Sequence, residues 1–392
     1  MFALKRLNLR NRRSDSAARL TPTGQFLAGM SLRSGRGLLF VATQGIGDLI
    51  QSLPLLRSIC AMAENRWPVY VLLASSLQYE LLREENLPLL PIFVNGGTEN
   101  RRSHLKLRRK LAGKADLIVS APEISAAKLL LLKCAIGARY TFGEASPLLA
   151  QFLTYSVQQS WTTPWCSTLD EIALALNINV PLSSPHIHLA RHEIERAGTN
   201  LVKAGLNSSE MIVGVQCSSV VPEKRWPAEN FGEVLRRLRN RFPSLHVISF
   251  GIASELAHAQ QTQRHAGDVP WLDGAGKWNL RETMAMLSRC GLFISGDTGL
   301  MHIAAALGVP TLSIFGPTSA SRRAPRHNGG IAVCPQTPCH PCFRRKWTGC
   351  QCIRSISPAT VFEAAVNLLG SPKQQREFHA CAHADSFEVL SR

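Results

Sequence analysis

The sequence predicts an α/β protein made of two doubly wound, Rossmann-like domains with a cleft between them. Short apolar runs alternate with amphipathic stretches, the pattern of βαβ units on a parallel sheet. The alternation breaks at the Pro/Ser-containing stretch 179–189 and then begins again. With 392 residues the chain is long for one domain and comfortable for two.

The elements follow in order. LLFVAT (38–43) reads as a strand, QGIG as a turn, and the stretch from Asp48 through Cys60 as a helix. PVYVLLA (68–74) is a second buried strand, SLQYELLREE a helix, LLPIFV (89–94) a third strand. DLIVSA (116–121) is a fourth, followed by the helix AAKLLLLKCAIG. After the linker, HEIERAGTNLVKAGL reads as a helix and MIVGVQC (211–217) restarts the strands. NFGEVLRRLRNRF (230–242) is a helix, HVISFG (246–251) a strand, NLRETMAMLSRC (279–290) a helix and GLFISG (291–296) a strand. TGLMHIAAAL (298–307) is a helix stopped by Gly308 and Pro310, and TLSIFG (311–316) is a strand. Ser357-Pro358 opens a last helix that ends at Gly370. The expected division is a basic extension over 1–36, one domain over 37–185, a second over 186–356, and a helix and tail over 357–392.

Composition narrows the function classes. Hydrophobic residues make up 45% and charged residues 18%, a globular profile. The net charge of +17 is concentrated in 1–36, 101–114 and 298–362, the last two without an acidic residue. Such patches attract nucleic acid, anionic lipid or a phosphorylated substrate. Residues 1–36 read either as a solvated tail or as a basic arm on anionic membrane. The start, MFALKRLNLRNRRS, lacks the apolar stretch of a secretory signal, and no window approaches the ~20 uncharged apolar residues of a membrane span. The expected compartment is the reducing cytoplasm.

Three segments carry chemistry. In TQGIGDLIQSLPLL (43–56), Gly45 and Gly47 allow a ligand to approach the backbone, and the spacing is not the GxGxxG of a dinucleotide site. Asp48 reads equally as a plain N-cap or as a carboxylate at the carboxyl end of the first strand, where open α/β sheets bind ligands. In GVQCSSVVPEKRWPAENF (214–231), a strand ends at Ser218 and Ser219, and Lys224 sits on a loop before Trp226-Pro227. That lysine is either solvated or a compact charge for phosphate. In FISGDTGLMHIAAALGVPTLSIFGPT (293–318), Asp297, Thr298 and Gly299 stand at a helix start, whose N–H groups bind phosphate readily. His302 lies one turn in, on the same face as Thr298. No Asp-x-Asp pair occurs, so protein groups rather than a catalytic metal are expected to carry leaving-group charge.

A fourth cluster holds Cys339, Cys342, Cys350 and Cys352, with Cys334 and His340 nearby. Four thiolates could hold structural zinc or iron, although Cys350-x-Cys352 is tighter than the usual spacing. The alternative is a Cys-rich loop without a ligand.

Together GIGDLIQSLPLLRSI, KRWPAENF and DTGLMHIAAALGVPTLSIFGPT resemble glycosyltransferase family nine, the bacterial heptosyltransferases of the lipopolysaccharide inner core, over about 37–370. The resemblance implies a GT-B fold, with an N-terminal acceptor domain and a C-terminal domain for ADP-heptose. It implies Asp48 as general base of an inverting transfer and Lys224 as stabiliser of the diphosphate. Donor binding then falls to Ser218, Ser219, Glu255, Trp278, Asp297, Thr298, Gly299 and His302. The acceptor is anionic, so Arg101, Arg102, Lys106 and Arg108 are expected acceptor contacts, with no cofactor required. A lipid-linked acceptor implies peripheral contact with the cytoplasmic face of the inner membrane. The Cys cluster also resembles a subgroup that heptosylates autotransporter proteins and binds iron through cysteines. From a different class, a basic nucleic-acid-binding protein would interleave aromatics with its basic runs, and 101–114 contains none. A nicotinamide oxidoreductase would carry the glycine fingerprint. Neither is expected, and no nucleic acid partner is.

Overall fold

The computed structural model describes residues 32–370, apart from 65, 95–106, 161, 179–181, 208–209, 326, 328, 338–339 and 343–348. Within them the βα alternation builds two parallel six-stranded sheets. The first holds β1 (Gly37–Ala42), β2 (Val69–Leu73), β3 (Leu89–Phe93), β4 (Ala115–Ser120), β5 (Tyr140–Ala145) and β6 (Tyr155–Gln158) in the order β3-β2-β1-β4-β5-β6. The second holds β7 (Met211–Gln216), β8 (Leu245–Ser249), β9 (Trp271–Asp273), β10 (Leu292–Gly296), β11 (Thr311–Ile314) and β12 (Gly330–Val333). Its order, β9-β8-β7-β10-β11-β12, repeats the first, which is the order of two Rossmann-like domains. The central strands β1, β4 and β10 are buried along their whole length, which is why they read as unbroken apolar runs.

The sheets are covered by α1 (Ile46–Ala63), α2 (Ser76–Leu82), α3 (Ala126–Ile136) and α4 (Trp165–Ala175) in the first half. The second half carries α5 (Arg191–Lys203), α6 (Ala228–Arg241), α7 (Leu256–Ala266), α8 (Leu280–Leu287), α9 (Gly299–Ala306), the single turn α10 (Ala320–Arg323) and α11 (Pro358–Gly370). The expected helix stop at Gly308 holds: it adopts φ +75. Ser357 caps α11 as expected, its Oγ accepting from the Thr360 N–H at 3.1 Å. Strands β5, β6, β9 and β12 and helices α4, α7 and α10 were not among the sequence expectations.

Two other expectations need correction. Asp48 is not the N-cap of α1; Gly45 is, and Asp48 stands three residues in. α1 is also long and apolar enough, by length and composition, to cross a membrane. Its residues Leu49, Leu53, Leu56 and Ile59 are instead fully buried in the core.

The part of the N-terminal extension that is described, 32–36, is anchored. The Arg33 backbone N–H and guanidinium both donate to buried Asp116 at 2.9 Å.

The two halves meet along α1 and α9. Gly47 makes this possible: a Cβ there would stand 2.3 Å from His302 Cδ2. The carboxyl ends of β1, β4, β7 and β10, the points where strand order reverses in each sheet, therefore face a common space.

Candidate active site

Behind Asp48 lies a braced turn. Buried Gln78 donates to the Gln44 carbonyl at 2.7 Å and accepts the Ala74 N–H at 2.6 Å. Gln44 in turn donates to the Glu123 carbonyl at 2.7 Å. This fixes the turn so that Asp48 Oδ2 accepts the Gly45 N–H at 2.7 Å. Its other oxygen, Oδ1, faces Arg323 Nη1 from the second half at 3.8 Å. The Asp48 side chain is 16% exposed. Burial pushes its pKa up to about 6, while Arg323 and the Gly45 N–H pull against that rise.

Opposite, Asp297 follows β10. Lys224 Nζ donates to Asp297 Oδ2 at 2.6 Å. Burial works to raise this carboxyl, but Lys224 and Arg323 outweigh it and hold it at about 2. His302 is buried, which pushes its pKa down to about 4 despite Asp297 nearby. The ring is therefore neutral near pH 7, and its Nδ1 has no hydrogen-bond partner among the described residues.

Thr298 is the N-cap of α9, yet its side chain does not cap. Its hydroxyl turns away and donates to Gln216 Oε1 at 2.6 Å. Gln216 Nε2 donates to Glu255 Oε2 at 3.0 Å, and Glu255 also accepts the Ile252 N–H at 3.2 Å. The first amides of α9 are thus left without a side-chain cap, open to an anion. Ser218 and Ser219 are buried at the end of β7, and Ser219 Oγ accepts the Val221 N–H at 3.2 Å. Trp278 packs against Phe250 with ring centroids 5.7 Å apart, and it lies over Gly274, where a Cβ would meet it at 2.2 Å.

The structure therefore gathers Asp48, Lys224, Asp297, Thr298, Gly299 and His302 in one place. It links Glu255 to them through Gln216, which the sequence reading missed. Arg108 is not brought there. It is exposed in the described helical stretch 107–111, immediately before the amino end of β4, whereas Asp48 and Glu123 lie past the carboxyl ends of β1 and β4. Arg101, Arg102 and Lys106 lie outside the described residues.

Among its described residues the cysteine segment shows no metal site. Cys334 is disulfide-bonded, Cys339 lies outside the described residues, and Cys350 and Cys352 hold their sulfurs 3.4 Å apart. Cys342 sits on the Pro317 carbonyl through its backbone N–H at 2.9 Å. Among the described residues no three His, Cys, Asp or Glu side chains group to hold an ion.

The sequence reading also missed four charges that bridge the halves. Arg322 Nη2 contacts Glu144 Oε1 at 2.9 Å, and its Nε contacts Glu123 Oε1 at 3.1 Å. Arg323 pairs with Glu123 as well. The only sequence signal was the doublet Arg322-Arg323 just after GPTSAS. Beside this bridge a cavity of about 110 Å³ is lined by Gln51, Pro54, Trp165, Asp170, Pro185 and Arg322. Gln51 is one turn along α1 from Asp48. A larger cavity, about 430 Å³, lies between α2, α5 and α8. It shares no residue with the Asp48–Asp297 site, and its wall charges Arg83, Glu193 and Arg281 are already paired with one another.

Because Gly47 packs directly against His302 where α1 meets α9, Gly47→Ala is expected to overpack α1 against α9. The cost should be about 1–3 kcal/mol of unfolding free energy. Chemical denaturation of the variant checks it; an unchanged midpoint would mean the halves do not meet at this glycine in solution.

Residues 104–350 match the family model for glycosyltransferase family 9 (heptosyltransferase). The lipooligosaccharide heptosyltransferase 2 of Campylobacter jejuni is 24% identical over 337 residues, covering 83% of this chain and 95% of that one. The lipopolysaccharide heptosyltransferase 2 of Salmonella typhimurium is 31% identical over 105 residues, a quarter (25%) of this chain, which spans 28% of that relative's length. Among solved structures, a family 9 glycosyltransferase from Veillonella parvula superposes with a TM-score of 0.72 at 22% identity, over 87% of this chain and 98% of that one. The E. coli ADP-heptose lps heptosyltransferase II superposes with a TM-score of 0.63 at 20% identity, over 85% and 98%.

Proposed function

The chain belongs to glycosyltransferase family 9, and from that premise we propose that it transfers a heptose from ADP-heptose, with inversion, to a hydroxyl of the lipopolysaccharide inner core. The observation that carries the reading is the meeting of two things across the cleft. Asp48 comes from the first half, and the uncapped start of α9 beside Lys224 comes from the second.

The chemistry follows from their roles. Asp48 Oδ1 takes the proton of the acceptor hydroxyl as that oxygen attacks the anomeric carbon. The bond to the diphosphate breaks on the opposite face of the sugar, and ADP leaves. Its growing charge rests on the α9 amides and on Lys224, which Asp297 holds in place. Thr298, Gln216 and Glu255 form the chain that positions the nucleotide side, with Trp278 beside the nucleobase. Neutral His302 closes the α1–α9 contact and adds no charge to repel the sugar carbon as positive charge develops there. Ser218 and Ser219 line the donor side at the end of β7. A lipid-linked acceptor would bring the enzyme to the cytoplasmic face of the inner membrane.

The test is a thermal-shift comparison of ADP-heptose with UDP- and GDP-sugars, followed by mass detection of heptose transfer to core oligosaccharide lacking it. ADP-heptose should stabilise the chain most and the acceptor should gain one heptose. Equal stabilisation by all three nucleotide sugars, without transfer, would sink the reading.

A further inference from the structure

We propose that Arg323 is a positioning residue for the transfer. Its guanidinium, held between Glu123 and Asp48 across the cleft, keeps the Asp48 carboxylate charged and aimed while the site waits for an acceptor. The inference rests on the reading of Asp48 as the proton acceptor.

The geometry is specific. Arg323 is the last residue of the single turn α10, which follows β11 in the second half. One guanidinium nitrogen pairs with Glu123 Oε2 of the first half, and the other stands 3.8 Å from Asp48 Oδ1. The guanidinium also lies 5.7 Å from the centre of the Trp165 ring, a cation–π contact. Glu123 cannot drift, because its backbone N–H donates to Glu144 Oε2 at 2.9 Å and its carbonyl accepts from Gln44. It holds φ +63, a left-handed conformation that a non-glycine residue adopts at a cost. The neighbouring Arg322 is spent on Glu144 and Glu123, so it does not duplicate Arg323 at Asp48.

Among the described residues, the charged and titratable groups that face Asp48 come from four places. Arg323 comes from α10, Glu123 from the loop after β4, Asp297 from the loop after β10 and His302 from α9; Lys224 acts behind Asp297. Burial, Glu123 and Asp297 all push Asp48 toward its protonated form. Among the described side chains, Arg323 alone stands near enough to oppose them directly. Glu123 plays two parts: it repels Asp48, and it also draws Arg323 partly away.

This double role gives a test with two opposite signs. Protein labelled with ¹³C at the aspartate carboxyls is titrated by NMR, with Asp48→Asn used to assign the Asp48 signal. In the unaltered chain the Asp48 midpoint should fall at about 6. Arg323→Gln should raise it by about one pH unit or more, the usual effect of an opposite charge at this distance. Arg323→Lys should leave most of the original midpoint in place. Glu123→Gln should lower the midpoint, because it removes a repelling carboxylate and frees Arg323. The acid limb of kcat/KM should move with each midpoint.

An unmoved Asp48 midpoint in Arg323→Gln overturns the proposal, as does a raised one in Glu123→Gln. The second variant stays informative if the first does not fold. The titration needs no substrate, so it stands even if the donor or acceptor proves to be a different sugar. Moved midpoints with an unmoved acid limb would fault the reading of Asp48 as base and leave the Arg323 contact standing.

Discussion

Asp48→Asn is expected to lower kcat/KM for heptose transfer by about 10²–10⁴-fold, the range a positioned general base supplies. The unfolding midpoint should stay close to that of the unaltered chain. The reason lies in the two oxygens of the side chain. Oδ2 is structural, since it accepts the Gly45 N–H and closes the start of α1. Asparagine keeps an acceptor there, so the turn survives while basicity is lost. Asp48→Ala removes both oxygens and should cost about 1 kcal/mol of stability in addition.

pH supplies a second arm of the same result. Asp48 sits at about 6, so below that value it carries a proton and cannot take another. kcat/KM, which reports the free enzyme, should therefore rise as pH passes upward through about 6. Asp297, at about 2, and His302, at about 4, have titrated below that window. The residual activity of Asp48→Asn should lack this limb. An Asn variant with full activity, or one that keeps the limb, would return Asp48 to a purely structural role.

The sequence posed Asp48 as either a cap or a catalyst, and the structure shows why the two readings could not be separated from local residues. The side chain caps with one oxygen and faces the cleft with the other. The partner that the second oxygen meets, Arg323, lies far along the chain and on the other half. The same limit applies to Glu144 and Arg322, which are 178 positions apart. A doublet of arginines after a strand looks like ordinary surface charge until a sheet on the other half places Glu123 and Glu144 under it. By contrast, the strand–turn–helix units around Asp48 and Asp297 were legible because their signals are local: an apolar run, a glycine turn, then helical spacing. Strands β5, β6 and β12 were not, since YSVQ and GIAV span only four residues each and YTFGEA breaks its apolar positions with Thr, Gly and Glu. The acceptor expectation for Arg108 rested on charge alone, and charge carries no information about which end of a sheet it will occupy.

Removing the charge at position 322 should have the largest effect on stability. Arg322 and Glu144 expose only 3% and 1% of their side chains. Arg322→Met leaves Glu144 buried without its main cation, and the expected loss is about 3–5 kcal/mol of unfolding free energy. The partner substitution defines the cause. Adding Glu144→Gln removes the stranded charge while keeping an acceptor for the Glu123 N–H, so the double variant should regain a large part of that loss. The exposed pair Arg191–Glu195, at 93% and 61% exposure, serves as the control; breaking it should change stability by no more than about 0.5 kcal/mol. Urea unfolding of the four proteins decides the matter. If Arg322→Met falls within about 1 kcal/mol of the unaltered chain, the bridge is not a dry ion pair of the kind that costs 3–5 kcal/mol to break. Because Arg322 joins α10 of the second half to the loop after β4 and to β5 of the first, its loss should also loosen the cleft. Asp48 and the start of α9 would then meet less often, and transfer should weaken even at temperatures where the variant is fully folded.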